Sequence, residues 1–137
     1  MPMFDAMNSA GSGLSAYQTW LDAISDNIAN VNTITPTSGN AFQAEYVQAQ
    51  AIATGDHGVG GGIEVVRIAH GSAAGRVTYD PGNPQADASG DVRLPDIDMG
   101  EQMGNLIMAQ RAFQANASVV DRAYETYQSA INIGKKA

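Results

Sequence analysis

The chain of 137 residues contains no cysteine, which excludes disulfide bonds, thiolate zinc sites and thiol nucleophiles. Positive charge is also scarce, because 7 lysines and arginines stand against 14 aspartates and glutamates. A nucleic-acid-binding protein needs clustered cations that displace counterions from phosphates, whereas the cations here are scattered between Arg67 and Lys136. The composition therefore argues against a nucleic acid as partner.

Long apolar runs are missing as well. No window approaches the ~20 apolar residues that a transmembrane helix needs. Residues Met1–Asp5 lack the positively charged start that opens a cleavable secretory signal, and no apolar run follows them. These absences fit a cytoplasmic chain, and they equally fit export by a route that reads no cleavable signal.

Aromatic residues make up only 7% of the chain, and the 44% of hydrophobic residues leans on alanine, methionine and isoleucine. Large side chains supply most of the buried area per residue. This composition therefore suits slim contacts between helices better than a thick core, within the size of one ordinary domain.

The first part of the chain, residues 1–33, predicts a helix with one apolar stripe. Its apolar or small residues recur in alternating steps of three and four, the spacing of a heptad repeat. These residues are Met7, Ala10, Leu14, Tyr17, Leu21, Ile24, Ile28 and Val31. The polar residues Asn30 and Asn32, followed by Pro36, predict the end of this helix.

The middle part, residues 34–95, is rich in glycine, proline, serine, threonine and aspartate and predicts a small β-rich insert. Turns are expected at residues 58–62 and 80–84. The predicted strands are Phe42–Ile52, Ile63–Ala69, Arg76–Tyr79 and Asp91–Leu94. A small antiparallel sheet or paired hairpins would accommodate them, although such a unit is too small to be very stable alone.

The last part, residues 96–137, predicts a second helix. Either Asp96 or Asp98 can cap its start, and Glu101 stands three residues after Asp98 as in a capping box. Gly134 and the following lysines suit its end. A second stripe with steps of three and four runs through Met99, Met103, Leu106, Gln110, Phe113, Ala117, Val120, Tyr124, Tyr127 and Ile131.

The expected fold is therefore mainly α with a small β insert. The terminal helices, in residues 1–33 and 96–137, are expected to pair as an antiparallel coiled coil that forms one core and assembly domain. Because the first stripe covers about 28 residues and the second about 36, part of the second stripe is left for other chains.

Seventeen residues on the two stripes and beside them are candidates for an assembly interface. On the N-terminal helix they are Leu14, Tyr17, Leu21, Ile24, Asn27, Ile28, Asn30 and Asn32. On the C-terminal helix they are Met103, Leu106, Gln110, Phe113, Asn116, Val120, Tyr124, Tyr127 and Ile131. Asn27, Asn30 and Asn32 could set register between subunits or simply end the helix. Gln110 could likewise fix register or reach solvent at the edge of the stripe, and the aromatic residues could pack on neighbouring subunits or on the chain's own first helix.

Neither a catalytic nor a metal site is predicted. The loop carboxylates Asp80, Asp87 and Asp91 lack the spacing of a calcium loop and fit turn chemistry better. His57 and His70 belong to no hydrolase or zinc motif. We therefore expect no cofactor, no small-molecule substrate and no enzymatic activity.

Residues 25–33, Ser-Asp-Asn-Ile-Ala-Asn-Val-Asn-Thr, resemble the signature near the N-terminus of flagellar rod and hook proteins. Residues 79–84, Tyr-Asp-Pro-Gly-Asn-Pro, and residues 86–95 are similar to the middle segment of one rod protein. Residues 111–116, Arg-Ala-Phe-Gln-Ala-Asn, and residues 131–134, Ile-Asn-Ile-Gly, resemble that protein's C-terminal motifs. The likeness covers essentially the whole chain, whose length suits the short proximal-rod members of the flagellar basal-body rod family.

The resemblance implies a structural protein that is secreted by the flagellar type III export apparatus without a cleaved signal. Together with other copies and other rod proteins, it would build the hollow rod that crosses the periplasm and transmits torque. Two other classes remain open at this point. A soluble helical adaptor or dimeric binding module would keep both stripes without forming a polymer, and an enzyme would have to use the aspartate-rich loop.

Overall fold

The computed structural model describes residues 2–53 and 61–135. Two long helices flank five short strands. In chain order the elements are α1 (Pro2–Asn30), β1 (Thr35–Pro36), β2 (Glu45–Ala51), β3 (Ile63–His70), β4 (Arg76–Tyr79), β5 (Asp91–Leu94) and α2 (Met99–Gly134). The expected helix, β insert and second helix are confirmed, and so are the four predicted strands. The strand β1 is an addition, while His57 and the first part of the turn expected at 58–62 lie outside the described residues.

Side chains that satisfy free backbone groups mark two of the helix ends. At the start of α2, the carboxylate Oδ1 of Asp98 accepts a hydrogen bond of 3.0 Å from the backbone N–H of Glu101. Asp98 is therefore the N-cap, rather than Asp96. At the end of α1, Asn30 Nδ2 donates to the carbonyl oxygen of Asp26 over 2.9 Å. This contact lies in the last turn of α1, and the role of Asn30 between subunits stays a prediction.

The strands form two separate antiparallel sheets. Strands β2 and β3 make a two-stranded hairpin with an irregularity between Gln48 and Ala49. Strands β1, β5 and β4 make a three-stranded sheet in that order, in which Val77 faces Arg93. The alternative of paired hairpins is thus close to the observed arrangement, with the short β1 added at one edge.

The helix α1 packs against α2 along its length and also against strands β2 and β3. Its contacts with α2 follow opposite orders along the two helices. Asn27 meets Gln102, Gly13 lies against Asn116, and the ring centroids of Phe4 and Tyr127 are 6.1 Å apart. As a result, α1 has two packing partners on neighbouring sides.

The core is thin, as the composition predicts. Among the described residues, the buried apolar side chains include neither leucine, methionine nor an aromatic ring; they are Ala10, Ala16, Ala23, Ile24, Val31, Ala41, Ala44, Val92, Ile97 and Ala109. One buried cluster joins Val31, Ala44 and Ile97 beneath Phe42, where α1 ends and α2 begins. Neither described helix has a segment long and apolar enough to cross a membrane.

Candidate assembly surface

The buried side of α1 shares Ala10 and Ile24 with the predicted stripe and extends beyond the stripe on one side. Ile24 is buried, but Leu14, Leu21 and Ile28 are only half-buried. The fully buried positions are mostly small residues, and they are Ala10, Gly13, Ala16, Ala23, Ile24 and Asn27. Because α1 contacts both α2 and the hairpin, its buried side is turned toward the space between them. The larger apolar residues consequently lie at the edge of the helix contact.

Asn27 connects three elements at the centre of this contact. Its Nδ2 donates to the carbonyl oxygen of Glu45 over 2.9 Å and to Oε1 of Gln102 over 3.2 Å. Its Oδ1 accepts a 2.7 Å hydrogen bond from the backbone N–H of Glu45. Asn27 is 1% exposed and Gln102 is 3% exposed. The amide therefore joins α1 to the first residue of β2 and to α2 within one chain, a role that neither of the two interpretations from sequence included.

The middle of the helix pair comes close at a glycine. A Cβ atom added to Gly13 would lie 2.8 Å from Oδ1 of Asn116, closer than such atoms approach each other. The Asn116 amide is fixed by a 2.8 Å hydrogen bond from its Nδ2 to the carbonyl oxygen of Ala112. Only glycine at position 13 leaves room for this side chain, so Asn116 contacts the chain's own first helix.

A serine attaches the hairpin to α1. Ser12 Oγ donates to the carbonyl oxygen of Ser9 over 2.8 Å and accepts a 3.0 Å hydrogen bond from the backbone N–H of Ile63. Gly62 stands beside it with a φ of 91°, in the left-handed region that favours glycine. A side chain at Gly62 would collide with Ser12 Oγ. This contact holds the start of β3 against the first half of α1.

The buried side of α2 also differs from the predicted stripe. Six positions in alternating steps of four and three line its contact with α1; we call them the helix seam, and they are Gln102, Leu106, Ala109, Phe113, Asn116 and Val120. Ala109 is 0% exposed. The predicted stripe included Leu106, Phe113 and Val120. At two positions it followed Met103 and Gln110, which are exposed, instead of the neighbouring buried Gln102 and Ala109.

Several of the predicted interface residues are exposed in the single chain. These are Asn32, Met103, Gln110, Tyr124 and Tyr127. Gln110 is exposed in the single chain, and both of its interpretations stay predictions for an assembled state. The half-buried ones are Leu14, Tyr17, Leu21, Ile28, Asn30, Leu106, Phe113, Asn116, Val120 and Ile131.

Further exposed apolar side chains on α2 were not predicted from the sequence as interface residues. They are Met99, Ile107, Met108, Val119 and Ile133. Three of the exposed residues, Met99, Met103 and Ile107, follow one another at intervals of four and therefore lie on one side of the helix. We call these three residues the exposed apolar row; Met99 and Met103 lie on the predicted stripe, and only Ile107 lies off it.

The accessible surface of the chain is unusually large. It amounts to 8791 Å², whereas a compact monomer of 14.3 kDa exposes about 6,800 Å². The excess of about 2,000 Å² is comparable to the total area that a specific protein interface buries. Together with the exposed apolar row on α2, this surplus leaves area for contacts with neighbouring chains.

The aspartate-rich loop is organised by hydrogen bonds of its own. Asp87 accepts from the Thr37 hydroxyl over 2.7 Å and from the backbone N–H groups of Ser89 and Asp91 over 2.8 and 3.1 Å. Arg93 joins the same region by donating from Nη2 to the carbonyl oxygen of Thr37 over 2.6 Å. The loop carboxylate therefore fixes turns, and no group of three or more potential metal ligands occurs among the described residues.

We expect Thr37→Val to raise the pKa of Asp87 toward its ordinary value of 3.8. The Thr37 hydroxyl is the largest of the causes that lower this pKa, followed by the backbone N–H groups of Asp91 and Ser89. Because the pKa is lower in the folded chain than in the unfolded one, Asp87 stabilises the fold above pH ~3.8, and this contribution is lost as the pH falls through its folded-state pKa.

The carboxyl carbon shift of Asp87, followed by NMR through the acid range, measures this pKa directly. Thr33→Val is the matched control, since the Thr33 hydroxyl donates to Asn30 and not to this loop. An unchanged Asp87 titration in Thr37→Val would show that the threonine does not hold the carboxylate.

Comparisons with known proteins agree with these features of the chain. A family model described as flagella basal body rod protein matches residues 7–35, and one described as flagellar basal body rod FlgEFG protein C-terminal matches residues 89–133. The first segment contains Asn27, and the second contains the whole helix seam. The two family models therefore cover the parts of the chain that meet in the helix pair.

Full-length relatives cover the middle part as well. The flagellar basal-body rod protein FlgC of Yersinia enterocolitica is 33% identical over 135 residues, which are 98% of this chain and 100% of the relative. FlgC of Borreliella burgdorferi is 32% identical over an alignment of 149 positions, which covers 97% of this chain and 98% of the relative. FlgC of Bacillus subtilis is 26% identical over an alignment of 150 positions, which covers 98% of this chain and 100% of the relative. The chain therefore belongs to the FlgC family of flagellar basal-body rod proteins, which are structural proteins and not enzymes.

Proposed function

We propose that this chain is a structural subunit of the proximal rod of the bacterial flagellum and polymerises through its two terminal helices. It is exported by the flagellar type III apparatus without a cleaved signal peptide and joins other copies and other rod proteins in a hollow shaft across the periplasm. The shaft transmits torque, so motility depends on the chain. The exposed apolar row on α2 carries this proposal, because an apolar side of a long helix is stable only against a partner.

Within the subunit, α1 and α2 are proposed to form an antiparallel coiled coil. The steps of four and three in the helix seam support this pairing, because they keep one side of α2 facing one partner helix. The small residues along α1 allow a close approach, as Gly13 does for Asn116. The Asn27 contacts to Gln102 then fix one register of the two helices.

Contacts between subunits are proposed to use the side chains that the coiled coil leaves exposed or half-buried. On α2 these are the exposed Met103, Gln110, Tyr124 and Tyr127, together with the rest of the exposed apolar row. On α1 they are the large residues at the edge of its buried side, Leu14, Leu21 and Ile28, for which half-burial leaves area to contact a neighbour. Ile24 and Asn27, which were predicted as interface residues, are buried within the chain. They contribute to the contact surface by packing beneath it.

Replacing Ile107 by aspartate tests this function. Ile107 is 51% exposed in the single chain, so the change should leave the level of folded chain nearly unchanged. A charge inside an apolar contact removes the stabilisation of a buried isoleucine and adds a desolvation cost. We expect the number of basal bodies with a complete rod to fall by more than about tenfold, and we expect swimming to be lost.

The readouts are the amount of the chain in isolated basal bodies and the swimming of cells that carry only the variant. Gln18→Asp, at an exposed polar position of α1, adds the same charge and is expected to swim normally. Normal swimming of the Ile107→Asp cells would contradict the proposal. If instead the purified chain formed a discrete folded dimer and was absent from basal bodies, the adaptor hypothesis would replace it.

A further inference from the structure

A groove opens at the end of the molecule where α1 ends and α2 begins. It has a volume of about 430 Å³ and is lined by the apolar residues Val31, Ile97 and Met99. Asp96 and Asp98 place carboxylates at this groove, and Arg76 from β4 contributes a cation. The volume falls within the range of about 300–1,000 Å³ in which proteins hold ligand groups. None of the intramolecular contacts described above fills it.

The opposite end of α2 carries groups that match this groove. Ile133 is 71% exposed, and the exposed Lys135 follows the helix directly. Phe4, near the start of α1, contacts Tyr127, so the last turns of α2 lie beyond the described part of α1. Among the described residues, α1 does not extend alongside these turns. Since α2 has 36 residues, its two ends are roughly 50 Å apart.

The two ends complement each other in three respects. Lys135 bears a positive charge that suits the carboxylates Asp96 and Asp98. Ile133 supplies an apolar side chain for the exposed Met99 at the rim of the groove, whose base is formed by the buried Val31 and Ile97. The C-terminal end of a helix carries negative partial charge on free carbonyl groups, and the start of α2 carries positive partial charge on free N–H groups. Arg76 at the groove is a further donor for such carbonyls.

We propose that the groove receives the C-terminal end of the last helix of the neighbouring rod subunit, a helix end that presents an exposed apolar residue followed by lysine as α2 does here. This inference rests on the proposed function and names the axial contact within it. One end of each subunit would hold the opposite end of the next. Contacts between unlike ends extend into a filament wherever their rotation does not close a ring.

A photo-crosslinking amino acid at Met99 tests the contact in assembled rods. Met99 is exposed at the rim of the groove, so the substitution leaves the core intact. Basal bodies are isolated after irradiation in cells, and the crosslinked peptides are identified by mass spectrometry. We expect the peptides to come from the last two turns of a rod subunit's C-terminal helix. Peptides from any other surface, obtained from rods of normal length, would overturn the inference while leaving the proposed function intact.

A charge change gives a second measurement in the same cells. Asp96→Lys is expected to lower the crosslinking yield at Met99 about fivefold or more, because it places a cation where the lysine of the neighbour would lie. Asp121→Lys, an exposed aspartate of α2 far from the groove, should leave the yield unchanged. An equal yield in Asp96→Lys and Asp121→Lys rods would also overturn the inference.

Two further observations separate the groove contact from the function as a whole. If Met99 does not tolerate the probe, the exposed Asn32 on another wall of the groove carries it instead, with the same two outcomes. If the unmodified chain is absent from purified basal bodies, the proposed function fails and the groove contact fails with it. Rods that contain the chain but yield no crosslink from either position refute the groove contact alone.

Discussion

Replacing Asn27 by alanine is expected to lower the free energy of unfolding by about 3 kcal/mol. The change leaves the backbone N–H and carbonyl of Glu45 without their side-chain partner, and it leaves the buried Gln102 amide without its donor. An unpaired buried polar group costs roughly 1–3 kcal/mol, and three such groups lose their partner here, although water that enters the space recovers part of the cost. Urea unfolding of the purified chain, followed by far-UV circular dichroism, measures the difference.

Two further substitutions make this prediction specific. Asn32→Ala removes an exposed asparagine five residues later, so it should change the unfolding free energy by no more than about 0.5 kcal/mol. Asn27→Asp keeps an acceptor for the Glu45 N–H but turns a carboxylate oxygen toward two acceptor oxygens. It should therefore destabilise at least as much as alanine at neutral pH. A loss below about 1 kcal/mol in Asn27→Ala would mean that the three-way contact is not maintained in solution.

The sequence indicates the secondary-structure elements of this fold more clearly than it indicates which elements pack against each other. Periodicity predicts both helices and four strands, because the steps of three and four and the β-branched runs are local signals. The two-residue β1 gives no such signal. The buried side of α1 is broader than the predicted stripe because periodicity assumes one partner, whereas the hairpin is a second one that only the tertiary structure reveals.

The same limit applies to the polar positions of the candidate surface. Asn27 and Gln102 lie 75 residues apart, and the remaining partner of Asn27 is the backbone of Glu45. Backbone groups are the same at every position, so no residue type in the sequence indicates the contact between Asn27 and the Glu45 backbone. The exposed apolar row is different, because its residue types and spacing are visible in the sequence. Met99 and Met103 were part of the predicted stripe, whereas Ile107 lies off it.

Gly62→Ala is expected to cost about 3 kcal/mol of unfolding free energy, although it adds only one methyl group. The φ of 91° at Gly62 lies in a region that costs a residue with a side chain about 1–2 kcal/mol. The added carbon would also displace Ser12 Oγ, which would leave the backbone N–H of Ile63 unpaired at a cost of about 1 kcal/mol. Because this contact attaches β3 to α1, the hairpin and the first half of α1 should lose protection from hydrogen exchange together.

Gly104→Ala is the matched control with an effect of opposite sign. Gly104 is exposed on α2, and a Cβ atom there meets nothing within 4 Å. The same change of residue should therefore raise the unfolding free energy by about 1 kcal/mol, which is the helix preference of alanine over glycine.

A double-mutant cycle of Ser12→Ala and Gly62→Ala isolates the serine contact. Ser12→Ala should destabilise the unmodified chain by about 1 kcal/mol and the Gly62→Ala chain hardly at all, since the hydrogen bond to Ile63 is already broken there. If the two effects simply add, Gly62→Ala acts through its backbone conformation alone, and the contact between Ser12 and the hairpin does not depend on this glycine.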